Sequence, residues 1–505
     1  MSLPSHATTT QISVGQYLAT RLRQLGVAHL FGLPGDFNLG LLDELLSVDG
    51  LAWVGTANEL NAAYAADGYA RIRRGVGALV TTYGVGELSA INGTAGSYAE
   101  GVPVIHIVGM PSTAAQANGT LLHHTLADGD FGHFVRAAAE VTVEAVVVTA
   151  VGAAGTIDRA IRRALDTSLP IYLGIPADVA LLEVSASTLA RGLRSTVSDR
   201  DQLVALEASL VEVLADDDEV VVLAGPRIHR RHLEPFVSSL ATRPGVKVAT
   251  QNASKALLDE SNPANLGVYA GEHTVSADTR RRVDEASTLV LAGVVMSDFL
   301  TGFFSHGFDP DDAIELRLDE ARVGGDIFYD VYLDDSLALL DRLLAGRAPR
   351  DVPVVPDSVD PQDPSPHSRD ELLSHATLWP TIEAWLRPGT TVVAEAGTSF
   401  YGAVDLKLPD DSELLGQPVW SSIGYTLPAT LGAMLATPGR ETVLLIGDGS
   451  AQLTIQELGT ILHRGLTPTI LLIDNDGYTV ERLIQSPDAP YQDVVRWDWT
   501  SLPSS

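Results

Sequence analysis

The chain has 505 residues, 33 basic and 64 acidic, giving a formal charge of −31, and it contains no cysteine. Its length exceeds what one hydrophobic core can organise, and a hydrophobic content of 45% is ample for several globular domains. The absence of cysteine excludes disulfides, thiolate catalysis and cysteine-ligated zinc, and an acidic surface repels nucleic acid and anionic membranes, so any anion site must be built locally.

Met1 to Thr10 is polar and lacks the apolar stretch of a signal peptide. No uncharged apolar run reaches the roughly 18 residues of a membrane span. The lack of cysteine is compatible with a reducing cytosol, and a cytoplasmic location is expected. Ser13 is placed to cap a helix from Val14 to Leu25, closed by Gly26. His29 to Phe31 reads as a short strand opening into Gly32-Leu33-Pro34-Gly35-Asp36, followed by a helix from Leu39 to Leu46. Asn58 can cap a helix from Glu59 to about Arg73. Gly77 to Thr82 has the small and β-branched residues of a buried strand, Gly84-Val85-Gly86-Glu87 leads into a further helix, and Val104 to Val108 is again a strand. This alternation predicts an α/β fold with a doubly wound parallel sheet.

From about residue 190 a second α/β unit is expected, with a helix from Leu203 to Leu214 and strands at Glu219 to Leu223 and Thr288 to Ala292. Asp351 to Ser368 is rich in proline and aspartate and reads as a linker. A third unit includes a strand at Thr391 to Ala394. The expected division is 1–188, 189–350, a linker at 351–369, and 370–505. The chain stops at Ser505, soon after Gly477, so the last unit is expected to be short of a strand and helix.

The most informative segment lies in that third unit. Thr442 to Ile446 runs into Gly447-Asp448-Gly449-Ser450, and Thr469 to Ile473 runs into Asp474-Asn475-Asp476-Gly477. Between them Ala451 to Arg464 reads as one helix, closed by Gly465 and followed by Pro468. A right-handed crossover makes the two strands parallel and brings both turns to one sheet edge, on strands roughly 4.8 Å apart. Asp448 and Asn475 can there converge on a hard cation such as Mg²⁺, and the glycines let backbone approach a phosphate. One such turn alone is often structural; two flanking one crossover favour a diphosphate–metal site.

Other polar residues each admit two readings. Asp36 is either a turn residue bonding its own backbone or a ligand-facing group at a strand end. Glu59 either complements its helix dipole or acts chemically. His123 and His124 are adjacent, so they cannot share one helix face; they are a surface pair, a proton-transfer pair, or metal ligands for which no third ligand is evident nearby. Glu481 lies beside Val480 and Ile484, where apolar neighbours would suit a proton donor, or it is a helix-surface residue next to Arg482.

Taken together these segments resemble the thiamine diphosphate-dependent 2-oxo acid decarboxylases, the group acting on pyruvate, indolepyruvate and branched-chain keto acids, almost end to end. Gly32 to Asp36, Ala57-Asn58-Glu59-Leu60-Asn61, Tyr83-Gly84-Val85-Gly86-Glu87-Leu88-Ser89 and His123-His124 are similar to the family's pyrimidine-binding domain. Ala394-Glu395-Ala396-Gly397-Thr398-Ser399, Ser422-Ile423-Gly424-Tyr425, Gly447 to Ser450 and Asn475 to Glu481 are similar to its diphosphate-binding domain.

The resemblance implies three doubly wound parallel-sheet domains of the thiamine diphosphate-binding fold, the central one without cofactor. It implies that Asp448, Asn475 and the Gly477 carbonyl hold Mg²⁺ on the cofactor diphosphate. Thr398, Ser422, Gly449 and Ser450 would contact the cofactor, Ile423 would wedge it into a V shape, and Glu59 would hydrogen-bond its aminopyrimidine ring. Asp36, His123, His124 and Glu481 would manage the proton that completes an aldehyde product, and Phe400, Val480 and Ile484 would line the substrate pocket. The implied reaction is non-oxidative decarboxylation of a 2-oxo acid, with Val480 and the Thr398 to Tyr401 stretch pointing to branched or aromatic substrates. Each site would combine halves from two subunits, giving a homodimer or a dimer of dimers. Two alternatives stand beside this reading: a carboligase, and an inactive cofactor-binding subunit, since family members continue past the point where this chain stops.

Overall fold

A computed structural model describes residues 10–193, 196–215, 218–346 and 373–502. The expected linker at 351–369 and the expected start of the last unit at 370 lie outside the described residues. The described chain forms two compact units: one from residues 1–196, 428–438 and 456–467, the other from 197–427, 439–455 and 468–505. No described helix is long and apolar enough to cross a membrane.

In the first unit a six-stranded, all-parallel sheet runs in the order Ala52–Gly55, His29–Gly32, Gly77–Thr82, Val104–Met110, Ile171–Pro176, Glu144–Val147. The central strands Gly77–Thr82 and Val104–Met110 are buried along their whole length, which is why they read as continuous apolar runs rather than alternating ones. Local signals set the helix starts. The Ser13 hydroxyl accepts from the Gln16 amide and the Gln16 side chain accepts from Ser13 N–H, so Val14–Gln24 begins with a reciprocal cap. The Asn58 side chain accepts from Asn61 N–H at 2.8 Å and opens Glu59–Arg73. That alanine-rich helix is buried on nearly every side because its small residues admit close neighbours: a Cβ on Gly68 would fall 2.4 Å from the Ala429 carbonyl oxygen.

The second unit holds two sheets. The larger runs Asn265–Val268, Val246–Thr250, Val220–Ala224, Leu289–Ala292, Ile314–Leu316 in parallel, then adds Glu320–Val323 and Asp326–Tyr329 antiparallel. The expected parallel sheet thus carries an antiparallel hairpin at one edge. Gly324 and Gly325 both have positive φ, 56° and 88°, the backbone of a two-residue hairpin turn. The smaller sheet is parallel, in the order Glu413–Leu415, Thr391–Ala394, Thr442–Gly447, Thr469–Ile473.

The helix expected from Ala451 to Arg464 is instead two, Asp448–Thr454 and Glu457–His463. Each piece answers to a different buried bond. Thr454 donates its hydroxyl to the Gly424 carbonyl at 2.7 Å, whereas Glu457 Oε2 accepts from the Asn61 amide at 2.8 Å and from Ala57 N–H at 3.1 Å. Periodicity alone gives no sign of that competition.

Candidate active site

The first unit gathers its candidate groups at the carboxyl ends of its strands, the position where open α/β sheets bind ligands. Asp36 follows His29–Gly32 and is exposed; its Oδ2 meets His123 Nε2 at 2.8 Å. The His123 ring stacks on Phe37 with centroids 5.0 Å apart, and His124 lies edge-on to both, 4.5 Å from His123 and 6.1 Å from Phe37. One ligand atom from each of Asp36, His123 and His124 lies within 4.8 Å of the others. The third polar group missing from the sequence neighbourhood of the histidines is thus Asp36, supplied by a different strand end. Such a cluster can hold a cation or exchange a proton with a bound molecule.

Glu59 occupies the first turn of its helix and is half-buried. Burial pushes its carboxyl up from the ordinary range, against a smaller opposing effect of its own backbone N–H. A Cβ on Gly86 would lie 3.2 Å from Glu59 Oε1, so a side chain at 86 would press on the carboxyl. Sequence reasoning missed Glu457. It is fully buried, and both bonds of its Oε2 go to residues flanking Glu59, while its Oε1 and the Asn61 side-chain oxygen Oδ1 have no hydrogen-bond partner. Only the fold brings it there. Glu457→Ala is expected to cost about 1–3 kcal/mol, because two buried donors lose their acceptor, and to lower turnover by displacing Glu59; urea unfolding and a rate assay on the same sample check both effects.

In the second unit, strand-end turns converge. Gly447 is level with Ile473 in the ladder, so Asp448 and Asp474 leave adjacent strands side by side. A Cβ on Gly449 would meet the Tyr478 ring at 2.8 Å, so the two turns touch. Asp448 is buried; desolvation raises its carboxyl, and the charges of Asp474 and Asp476 raise it further. Asn475 is half-buried, and Gly477 is buried at φ 142°, with its carbonyl accepting from Thr479 N–H at 2.9 Å. Asp474, absent from the sequence-based set, belongs to this acidic cluster by ladder register.

A third turn joins them. Gly397, at φ 98°, precedes helix Thr398–Asp405, and a Cβ there would lie 3.5 Å from Val480. Glu395 is buried and ties this turn to the next, its Oε1 accepting from Ala396 N–H at 3.0 Å and its Oε2 from the Thr426 hydroxyl at 2.6 Å; burial pushes its carboxyl up to about 7. Ser422 and Ile423 are half-buried beside Gly424, whose close approach to Leu453 and φ of 87° require glycine. Gly449 and Ser450 are buried in the first turn of Asp448–Thr454.

The expected pocket residues separate. Phe400 packs into the domain core with Val392, Leu406 and Leu408, while Tyr401 is exposed and faces Phe299 with centroids 6.1 Å apart. Burial, then the charges of Asp298 and Glu481, raise the Tyr401 hydroxyl, which places those carboxylates in its neighbourhood. Glu481 and Ile484 are both exposed, so the apolar surroundings expected around Glu481 are not provided by the described residues.

Comparison with known proteins shows the family. Residues 12–131 match the N-terminal thiamine pyrophosphate (TPP) binding domain of thiamine pyrophosphate enzymes, 208–337 the central domain and 397–496 the C-terminal TPP binding domain. The chain is 44% identical over 505 residues to an alpha-keto-acid decarboxylase of Mycolicibacterium paratuberculosis, covering 100% of this chain and 89% of that protein. Proteins of the same description from Mycobacterium tuberculosis and Mycobacterium leprae are 45% identical over 495 residues and 44% over 497, each covering 98% of this chain and 87% and 86% of theirs. The chain belongs to the thiamine pyrophosphate enzyme family, in its group of 2-oxo acid decarboxylases.

Proposed function

We propose that this chain converts a 2-oxo acid with a branched or aromatic side chain to an aldehyde and CO₂, using thiamine diphosphate and Mg²⁺. The observation that carries the reading is the Asp36–His123–His124 cluster, three proton-exchanging groups within reach of one another at a sheet edge. Prompt protonation ends the reaction as aldehyde, before a second carbonyl is captured, and so favours a decarboxylase over a carboligase.

The residues fit the cofactor. Asp448 beside two further carboxylates is a set of hard oxygen donors whose mutual repulsion a divalent cation would relieve. Asp448, Asn475 and the Gly477 carbonyl would hold Mg²⁺; Thr398, Ser422, Gly449 and Ser450 would contact the cofactor; Ile423 would set its bend. Bound thiamine diphosphate supplies a carbon nucleophile and an electron sink for the bond that releases CO₂. Glu59 would hold a proton at its carboxyl against the pyrimidine ring, and desolvation there favours the protonated form that can donate it. Asp36, His123, His124 and Glu481 would deliver the product proton.

Val480, with the exposed Ile484 four residues on, would meet the substrate side chain, and the Phe299–Tyr401 contact adds an aromatic wall that favours large side chains. Each site would be completed by a second subunit, and the exposed Val85, Leu88 and Tyr98 of helix Val85–Glu100 support a homodimer or dimer of dimers. We place the domain limits at 1–188, 189–350 and 370–505 and the protein in the cytoplasm.

Assaying CO₂ release from pyruvate, 3-methyl-2-oxobutanoate, phenylpyruvate and indolepyruvate, with products identified by mass spectrometry, tests the reading. Aldehydes are expected, with kcat/KM for the larger acids exceeding that for pyruvate by roughly 10–200-fold. Condensation products in majority, or a preference for pyruvate, would reject it.

A further inference from the structure

Behind the histidine pair, a buried carboxyl sits outside the proposed chemistry. Glu87 lies in the first turn of Val85–Glu100 and is only 4% exposed. Its Oε1 accepts from Gly84 N–H at 2.7 Å. That bond is one a first-turn glutamate commonly makes to the residue that precedes its helix. Here the rest of the carboxyl is turned inward to the buried Tyr172 hydroxyl, and both residues line one small cavity with His106, Thr94 and Phe134. Burying a carboxyl this way is costly, and the cost is uncompensated within the helix cap itself.

The contact that gives it a use is at Gly84. That residue has φ 70°, and a Cβ on it would fall 1.9 Å from the His124 carbonyl oxygen and 3.2 Å from the Phe134 ring. His124 itself is held at φ 60°, a left-handed conformation uncommon for a residue with a side chain. One position earlier, Tyr83 donates its hydroxyl to the Phe131 carbonyl at 3.0 Å and meets Phe37 edge-on at 6.5 Å, and Phe37 carries the stacked His123 ring. Both histidines therefore rest on the same strand-to-helix turn, one through a backbone contact and one through two aromatic rings.

We propose that Glu87 is a positioning residue for the His123–His124 pair, clamping Gly84 so that the His124 backbone keeps its left-handed conformation and His123 keeps facing Asp36. The inference rests on the reading of that pair as the groups that deliver the product proton.

Several titratable groups face Glu87. Tyr83 and Tyr172 have phenols raised first by burial and then by the Glu87 charge. His106, on Val104–Met110, bonds Thr81 Oγ1 at 3.0 Å and is held neutral, its pKa lowered to about 3 by burial. Beyond Tyr83 lie Asp128, Asp130 and Arg136, with His133 paired to Asp128. Burial pushes the Glu87 carboxyl up to about 7 from an ordinary 4.5, only partly opposed by Gly84 N–H and Tyr172. The folded protein then binds the proton more tightly than the unfolded chain, so stability falls as pH rises between those two values and stays lower above them. Glutamine keeps the acceptor for Gly84 and cannot ionise.

The test compares wild type, Glu87→Gln and Glu87→Ala, with His124→Ala as reference, in the cofactor-loaded enzyme. Glu87→Ala is expected to lower kcat for aldehyde formation by roughly 10–100-fold, the scale of a misplaced catalytic group, with KM and cofactor affinity little changed. Glu87→Gln should restore kcat, match wild-type Tm near about pH 5 and exceed it near about pH 8. A folded Glu87→Ala enzyme with wild-type kcat overturns the inference, as does failure of glutamine to rescue. If the alanine variant does not fold, Glu87→Gln decides, through a kcat below wild type or a Tm difference that does not change with pH. Should His124→Ala itself keep wild-type turnover, the reading of the histidines fails; should it lose turnover while Glu87→Ala does not, only the positioning role fails.

Discussion

Replacing Glu59 by glutamine is expected to lower turnover by roughly 10²–10⁴-fold, the span of a lost general acid–base group. The substitution changes little else. Asn58, not Glu59, supplies the helix cap through its bond to Asn61 N–H, and Gln is nearly the size of Glu, so the close contact with Gly86 survives. What is lost is a carboxyl that burial holds toward its protonated form and that can both give and take a proton. An amide can do neither. CO₂ release measured at saturating substrate and cofactor should therefore collapse, while thermal unfolding and calorimetric binding of thiamine diphosphate stay close to wild type. Undiminished turnover in this variant would remove the chemical role assigned to Glu59 and, with it, the proposed mechanism.

Asp448→Ala is expected to show the second large effect, on cofactor retention. Loss of a direct metal ligand should weaken Mg²⁺-dependent binding by more than the roughly 10–100-fold typical when only an outer partner of a ligand is lost. The expected signature has two parts of opposite sign. Without cofactor the variant should be no less stable than wild type, because one of three mutually repelling carboxylates is gone. With thiamine diphosphate and Mg²⁺ added, wild type should gain Tm by ligand linkage and the variant should not. Chelation of wild type should reproduce the variant, and Mg²⁺ should reverse the chelation. A variant whose Tm rises with cofactor as wild type does would mean that the turn after Thr442–Gly447 does not hold the cation.

The two effects fall on separate units, with Glu59 in the first and Asp448 in the second, and each is read by a different assay. That separation matters for Glu457, which lies only a few residues beyond Asp448 in the chain yet bonds to the residues around Glu59. A short stretch of sequence thus serves both halves of the proposed chemistry, and the break in the helix at Ile455 and Gln456 is where its allegiance changes.

Much of this was legible in the residues alone. The starts at Ser13 and Asn58, the buried strands Gly77–Thr82 and Val104–Met110, and the parallel pair Thr442–Gly447 and Thr469–Ile473 all follow from capping groups, side-chain branching and glycine turns acting within a few positions of one another. The motifs that carry the family resemblance are local for the same reason. The tertiary structure alone decided which side chains meet: Asp36 with His123, Glu457 with Asn61, Glu87 with the turn that bears on His124, Phe299 with Tyr401, and Phe400 turned into the core. Those meetings depend on the order of strands in each sheet and on which helix face is buried, and neither is encoded in the spacing of neighbours along the chain, because a strand's partners are chosen by packing over the whole domain.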